Sequence, residues 1–118
     1  NDNSFFVVNI GNDVVFDGFK VIGGRYDGIY GNSVTCKINN CRITDNEEGL
    51  NIRTSNKIVA NCIITGNNGN GIYDDEGGTS NYQNCLIANN GQHGISFINY
   101  YSVLNRLSLE ITLDFVFL

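Results

Sequence analysis

The chain has 118 residues and a net charge of −5, so it forms one domain at most. Its acidity argues against nucleic acid as a partner, because phosphate backbones are bound by basic surfaces that release counterions. Hydrophobic residues make up 42% and charged residues 16%, which excludes wholesale disorder, while twenty Asn, fourteen Gly and no Pro point to many turns built without proline.

Residues 1–13 supply a polar start and then a strand from Phe5 to Ile10 that completes a preceding turn. The chain has no Met and opens without a charged segment and an apolar stretch, so it reads as a processed or excised piece. No apolar run reaches the roughly 18 residues that span a bilayer. The longest one, at the C-terminus, is broken by Glu110, Thr112 and Asp114.

From Val14 onward the sequence repeats. Gly followed by Ile or Leu recurs at Gly28, Gly49, Gly71 and Gly94, at spacings of 21, 22 and 23 residues. A second column runs in phase with it through Gly18, Asn40, Asn61 and Asn84. Each unit resolves into three short strands with alternating apolar positions. The first set is Val14 to Phe16, Cys36 to Ile38, Lys57 to Val59 and Ser80 to Tyr82. The second is Phe19 to Val21, Cys41 to Ile43, Cys62 to Ile64 and Cys85 to Ile87, with first and third residues inward. The third follows the recurring Gly: Ile29-Tyr30, Leu50 to Ile52, Ile72-Tyr73 and Ile95 to Phe97.

Three strands per repeat make a coil, and stacked repeats place equivalent strands about 4.8 Å apart. The predicted fold is therefore all-β, a parallel β-helix of about four to five turns of 21–23 residues. Two corner columns support it: Gly18, Asn40, Asn61 and Asn84 at one, and Gly24, Asn46, Asn67 and Asn90 at the other. Asn and Gly tolerate the left-handed backbone, and stacked amides can bond along each column. Regular turns are expected over 14–98. Residues 99–118 read as an irregular terminal turn or cap, with Leu104, Leu107 and Leu109 inward and Arg106 and Thr112 replacing the two corner residues. Open coil ends favour end-to-end self-association.

Segments such as NNCRITDNEEGLNI, ANCIITGNNGNGIY and QNCLIANNGQHGIS resemble repeats of right-handed parallel β-helix proteins, the pectate-lyase-like superfamily. The resemblance implies a right-handed coil, a buried Asn ladder and a secreted or cell-surface protein handling polysaccharides. Superfamily members include lyases, hydrolases, esterases, epimerases, tailspikes and repeats without known chemistry, so the fold alone does not choose among them.

By location in that superfamily, the outer face of the third strand is the candidate sugar surface. It carries Tyr30, Asn51, Tyr73 and Ser96, flanked by Arg53 and Asp75, with Asp27, Glu48, Asn70 and His93 just before the recurring Gly. Tyr30 and Tyr73 could stack on sugar rings with Asn51 between them, and Arg53 could act as base or clamp a uronate carboxylate. The plainer alternative is a solvated face of ordinary cross-strand pairs, Arg53 with Asp75 among them. Asp74, Asp75 and Glu76, before Gly77-Gly78, are candidate oxygen ligands for Ca²⁺, or else an acidic solvated turn. Glu48 and Asp75 are the candidate pair for hydrolysis. His93 resembles the histidine of the Gly-His-Gly element of polygalacturonases, although Gln92 stands where that family has Gly and Asn70 where it has Asp. The two functional expectations are an extracytoplasmic protein binding or cleaving an acidic polysaccharide, and a non-catalytic solenoid serving as stalk or adhesin. Cys41, Cys62 and Cys85 stack inward and are expected as free thiols, since stacked Cβ directions suit a disulfide poorly.

Overall fold

A computed structural model describes residues 5–53, 55–75, 78–97, 107–113 and 116–117, the last two segments as backbone. Every regular element among them is a strand. β1 (Phe6–Asn9) precedes a first coil of β2 (Val14–Asp17), β3 (Lys20–Val21) and β4 (Asp27–Asn32). The next coils are β5 (Thr35–Asn39), β6 (Arg42–Ile43) and β7 (Glu48–Arg53), then β8 (Asn56–Ala60), β9 (Ile63–Thr65) and β10 (Ile72–Asp74). β11 (Ser80–Ala88) and β12 (Ile95–Phe97) form the fourth, followed by β13 (Leu107–Leu113) and β14 (Val116–Phe117). All pairings are parallel. The first sheet runs β1-β4-β7-β10-β12-β14, and the second β2-β5-β8-β11-β9-β6-β3 with β13 beside β11. The result is a β-solenoid of about four turns.

The registers are those the repeat demands. Val14 pairs with Cys36, Cys36 with Lys57 and Lys57 with Ser80, while Lys20, Arg42, Ile63 and Leu86 form the second column. Ile29, Leu50, Ile72 and Ile95 form the third, and all four are fully buried. Strand alternation sends these residues inward to meet Ile43, Ile64 and Ile87. Each such side chain contributes about 2 kcal/mol on leaving water.

The corners separate two jobs that the sequence merges. Gly18, Asn40, Asn61 and Asn84 have φ of 86, 54, 56 and 50°, the left-handed backbone expected of them. Their column is exposed, and Asn84 donates to Asn61 over 2.7 Å while Asn61 donates to Asn39 rather than Asn40. At the other corner the left-handed residues are Gly23, Asp45, Gly66 and Asn89, each one position before the expected column. Asn46, Asn67 and Asn90 are there for their amides. Asn67 Oδ1 accepts from the Asn46 backbone N–H at 3.1 Å and Asn90 Oδ1 from that of Asn67 at 3.1 Å, while the ladder ends as Asn46 accepts from Gly24 N–H at 2.8 Å. Each Nδ2 donates back to carbonyls of its own coil and the coil before, such as Thr44 O and Val21 O for Asn46.

This ladder explains the recurring Gly. A Cβ on Gly28 would lie 2.8 Å from the Asn46 amide nitrogen and 2.7 Å from Gly49 O, and one on Gly71 would lie 2.7 Å from both the Asn90 amide nitrogen and Gly94 O. Close approach, not a left-handed φ, keeps the column free of side chains.

One expectation changes. Pairing does not stop near residue 98. Leu107, Leu109 and Ile111 of β13 stand opposite Ser80, Tyr82 and Cys85, and Val116 of β14 opposite Ile95. Thr112 is no corner, since it pairs with Leu86 within a continuous strand, and the left-handed Asn84 is the extra residue at the register shift. Leu104 and Arg106 lie outside the described residues. Lys57 sits inside the coil in the column of Cys36 and Ser80. All four cysteines are buried and unbridged, and Cys41, Cys62 and Cys85 donate to the carbonyls of Asn39, Ala60 and Gln83.

The two Asn columns should respond differently to substitution. Asn67→Ala orphans buried groups on both neighbouring coils and is expected to cost about 3 kcal/mol or more. Asn61→Gly at the exposed left-handed corner should cost only a few tenths. Urea denaturation of both variants measures this, and equal costs would refute the distinct roles.

Candidate functional site

The outer face of the first sheet aligns two rows. Cα registers place Asn9, Tyr30, Asn51, Tyr73 and Ser96 in one row across β1, β4, β7, β10 and β12. Asp27 and Glu48 pair in the other, which continues through side-chain bonds. Glu48 Oε2 accepts from the Asn70 backbone N–H at 3.2 Å, and Asn70 Oδ1 accepts from the His93 backbone N–H at 3.1 Å and meets His93 Nδ1 at 3.0 Å. Glu48 and Asn70 thus each bond the same position one coil on, a short polar ladder outside the core.

Asp27 and Glu48 are the electrostatically unusual pair. Asp27 is 4% exposed, and burial raises its pKa from 3.8 to about 6 against the opposing pull of the Asn51 amide and Arg53. Asn51 Nδ2 reaches both Asp27 oxygens at 3.4 Å. Burial also raises Glu48, opposed by its two bonds from Asn70 and reinforced by the nearby charges of Asp27 and Glu47. Asp27 therefore takes up its proton well above the usual carboxylate range, and Glu48 is shifted in the same direction. Sequence reasoning placed Asp27 in this row without choosing it. The signal was present: Asp27-Gly28 and Glu48-Gly49 occupy one column.

The remaining expected residues are dispersed. Arg53 Nε lies 3.5 Å from Asp75 Oδ2, the cross-strand pair of the plainer alternative, so Asp75 is drawn to Arg53 rather than set opposite Glu48. Tyr30 stacks on Phe6 with centroids 4.4 Å apart at 12°, and that face of its ring is closed to a sugar. Tyr73 and Asn51 are half-buried on the face as expected.

Of the proposed calcium ligands, Asp74 and Asp75 point apart. Asp74 is buried inside the coil, where it meets Lys57 Nζ at 3.4 Å and accepts from the Tyr82 hydroxyl. Asp75, the next residue along the strand, faces the other way to Arg53. Period-two alternation separates the two carboxylates. Glu76 lies outside the described residues. Among the described residues no group of three His, Cys, Asp or Glu is placed to hold a metal, and no helix is long and apolar enough to cross a membrane.

A comparison with known families accords with the geometry. The family model described as right handed beta helix region matches residues 3–108, and the chain belongs to that family. No curated protein and no solved structure matches it.

The site makes a pH prediction. Asp27 binds its proton more tightly folded than unfolded, so its contribution to stability is present below about pH 4 and is lost as pH rises through about 6. Asp27→Asn should remove this dependence and stabilise the protein at pH 7.5 by on the order of 2 kcal/mol relative to wild type. Urea titrations of both proteins at pH 4.5 and 7.5 measure it. Parallel behaviour across the two pH values would refute the assignment.

Proposed function

We propose that the chain binds an acidic polysaccharide along the outer face of the first sheet and cleaves it by hydrolase-like acid chemistry at Asp27 and Glu48. The observation that carries this reading is the pairing of two carboxyl groups on adjacent strands, with Asp27 raised by burial to about 6. Backbones about 4.8 Å apart are compatible with the roughly 5–5.5 Å carboxyl separation of a retaining pair. The more strongly raised Asp27 suits the general acid, which protonates the leaving glycosidic oxygen. Glu48, bonded by Asn70, suits the carboxylate that faces the anomeric carbon. Protonated Asp27 repels a uronate less than its anion would, and Arg53, still partly exposed beside Asp75, offers a cation to the polymer.

Elimination is the weaker version, because Asp75 neutralises Arg53 as a base and Asp74 does not face outward with it. Such polymers occur outside the cell, which sets the protein at the cell surface or in the medium. The rival stalk or adhesin reading draws on the Phe6–Tyr30 stack and the Arg53–Asp75 pair, both of which serve a stable sheet face without any ligand.

The test is release of reducing ends from polyuronates at pH 5, with binding followed separately by calorimetry. Glu48→Gln and Asp27→Asn are expected to lower turnover at least 100-fold while polymer binding persists. Binding without products on any polymer would leave a non-catalytic glycan-binding protein, and no binding at all would leave the stalk.

A further inference from the structure

Lys57, Asp74 and Tyr82 form a closed polar group inside the coil that the surface chemistry does not use. The Lys57 and Asp74 side chains are 1% and 3% exposed, with Nζ 3.4 Å from Oδ1. The fully buried Tyr82 donates its hydroxyl proton to Asp74 Oδ2, and Lys57 Nζ also donates to Ile52 O at 3.2 Å. Around them lie Cys36 and Ser80, the register neighbours of Lys57.

Two features set this group apart from an ordinary ion pair. Both side chains are buried, so both charges carry a desolvation cost that pairing offsets incompletely. The group is also mismatched in hydrogen bonds: an ammonium has three N–H donors, and among the described residues Lys57 has two acceptors, Ile52 O and Asp74 Oδ1. Joining Nζ to the Asp74 carboxyl carbon removes both faults. The resulting amide has no charge, one N–H for Ile52 O and one carbonyl for the Tyr82 hydroxyl.

We propose that Lys57 and Asp74 condense into an intramolecular amide, a covalent cross-link within the coil that runs from β8 to β10, with Tyr82 as the group that holds the reacting oxygen. The Nζ–Cγ bond forms and the Cγ–Oδ1 bond breaks. Two of the three ammonium protons pass to Oδ1, which leaves as water, and the third stays on the amide nitrogen. Nothing is oxidised or reduced, and ammonium plus carboxylate become neutral amide plus water. Tyr82 donates to Oδ2 throughout, stabilising the negative charge of the tetrahedral intermediate. Burial and the neighbouring Asp74 raise the Tyr82 pKa well above its ordinary value, which keeps the phenol a donor. Nζ is held 3.4 Å from Oδ1, the oxygen that leaves Cγ, so the amine and the carboxyl are already in contact, and an interior closed to solvent disfavours the reverse hydrolysis.

Mass spectrometry of the denatured full chain tests this. The expected mass is one water below that of the sequence, and digestion should yield a branched peptide joining the segment around Lys57 to the segment around Asp74. Lys57→Met should restore the full mass. Tyr82→Phe, which keeps the ring, should slow appearance of the lighter species after refolding about 100-fold. A wild-type mass equal to that of the sequence would overturn the proposal. So would a lost water that survives in Lys57→Met, or one mapped to a succinimide at Asp17-Gly18 or Asp27-Gly28.

Discussion

The asparagine ladder of Asn46, Asn67 and Asn90 is the constraint on which the remaining structure depends. A coil of short strands leaves a bend on every turn whose backbone groups lie inside, away from water, and each must find a partner. One amide per turn meets that need in both directions, accepting from the N–H of one coil and donating to carbonyls. The amide must approach the next strand closely, which forces Gly at positions 28, 49 and 71. The Gly-Ile repeat and the ladder are therefore one requirement seen from two sides. Variation in length is confined to segments outside it.

Fixing the period also fixes what lies outside. Because Gly28 pairs with Gly49 one coil on, the residues ahead of them, Asp27 and Glu48, are held side by side. The pair is thus a product of the repeat. Its raised pKa carries a cost at neutral pH, where the buried Asp27 and the partly buried Glu48 lose protons reluctantly. A purely structural surface would gain by placing Asn or Thr there. The pair lies on the face that also aligns Tyr30, Asn51 and Tyr73.

Most of the fold was legible because the repeat is redundant: every strand is announced several times, and the registers of Val14, Cys36, Lys57 and Ser80 follow from alignment alone. The failures have specific causes. The run Asp74-Asp75-Glu76 looks like a solvated acidic loop because charge dominates its appearance, yet β10 continues through Asp74, and strand parity sends that carboxylate inward. Lys57 was visible in an inward column, but its partners Asp74 and Tyr82 lie 17 and 25 positions away, and only their contact makes a buried cation tolerable. The second Asn column was seen as a backbone requirement because Asn serves both roles, and φ alone separates them. For β13, sequence gave the Leu spacing without the corners. The strand simply omits the corner, leaving Asn84 of its neighbour as the extra residue.

The polar ladders and the Lys57 group show why a narrow coil admits unusual chemistry in its interior. A globular core draws its neighbours from many elements and can exclude a misplaced charge by repacking. In a solenoid each inward position has fixed neighbours above and below, so a charged residue must be answered within one turn of its own. Lys57 is answered by Asp74 on the same coil, and Asp74 by Tyr82 on the next. The same restriction that stacks Ile29, Leu50, Ile72 and Ile95 into a hydrocarbon column holds an amine, a carboxylate and a phenol in one arrangement. A buried pair of this kind is held together by the fixed neighbours of its coil rather than by solvent.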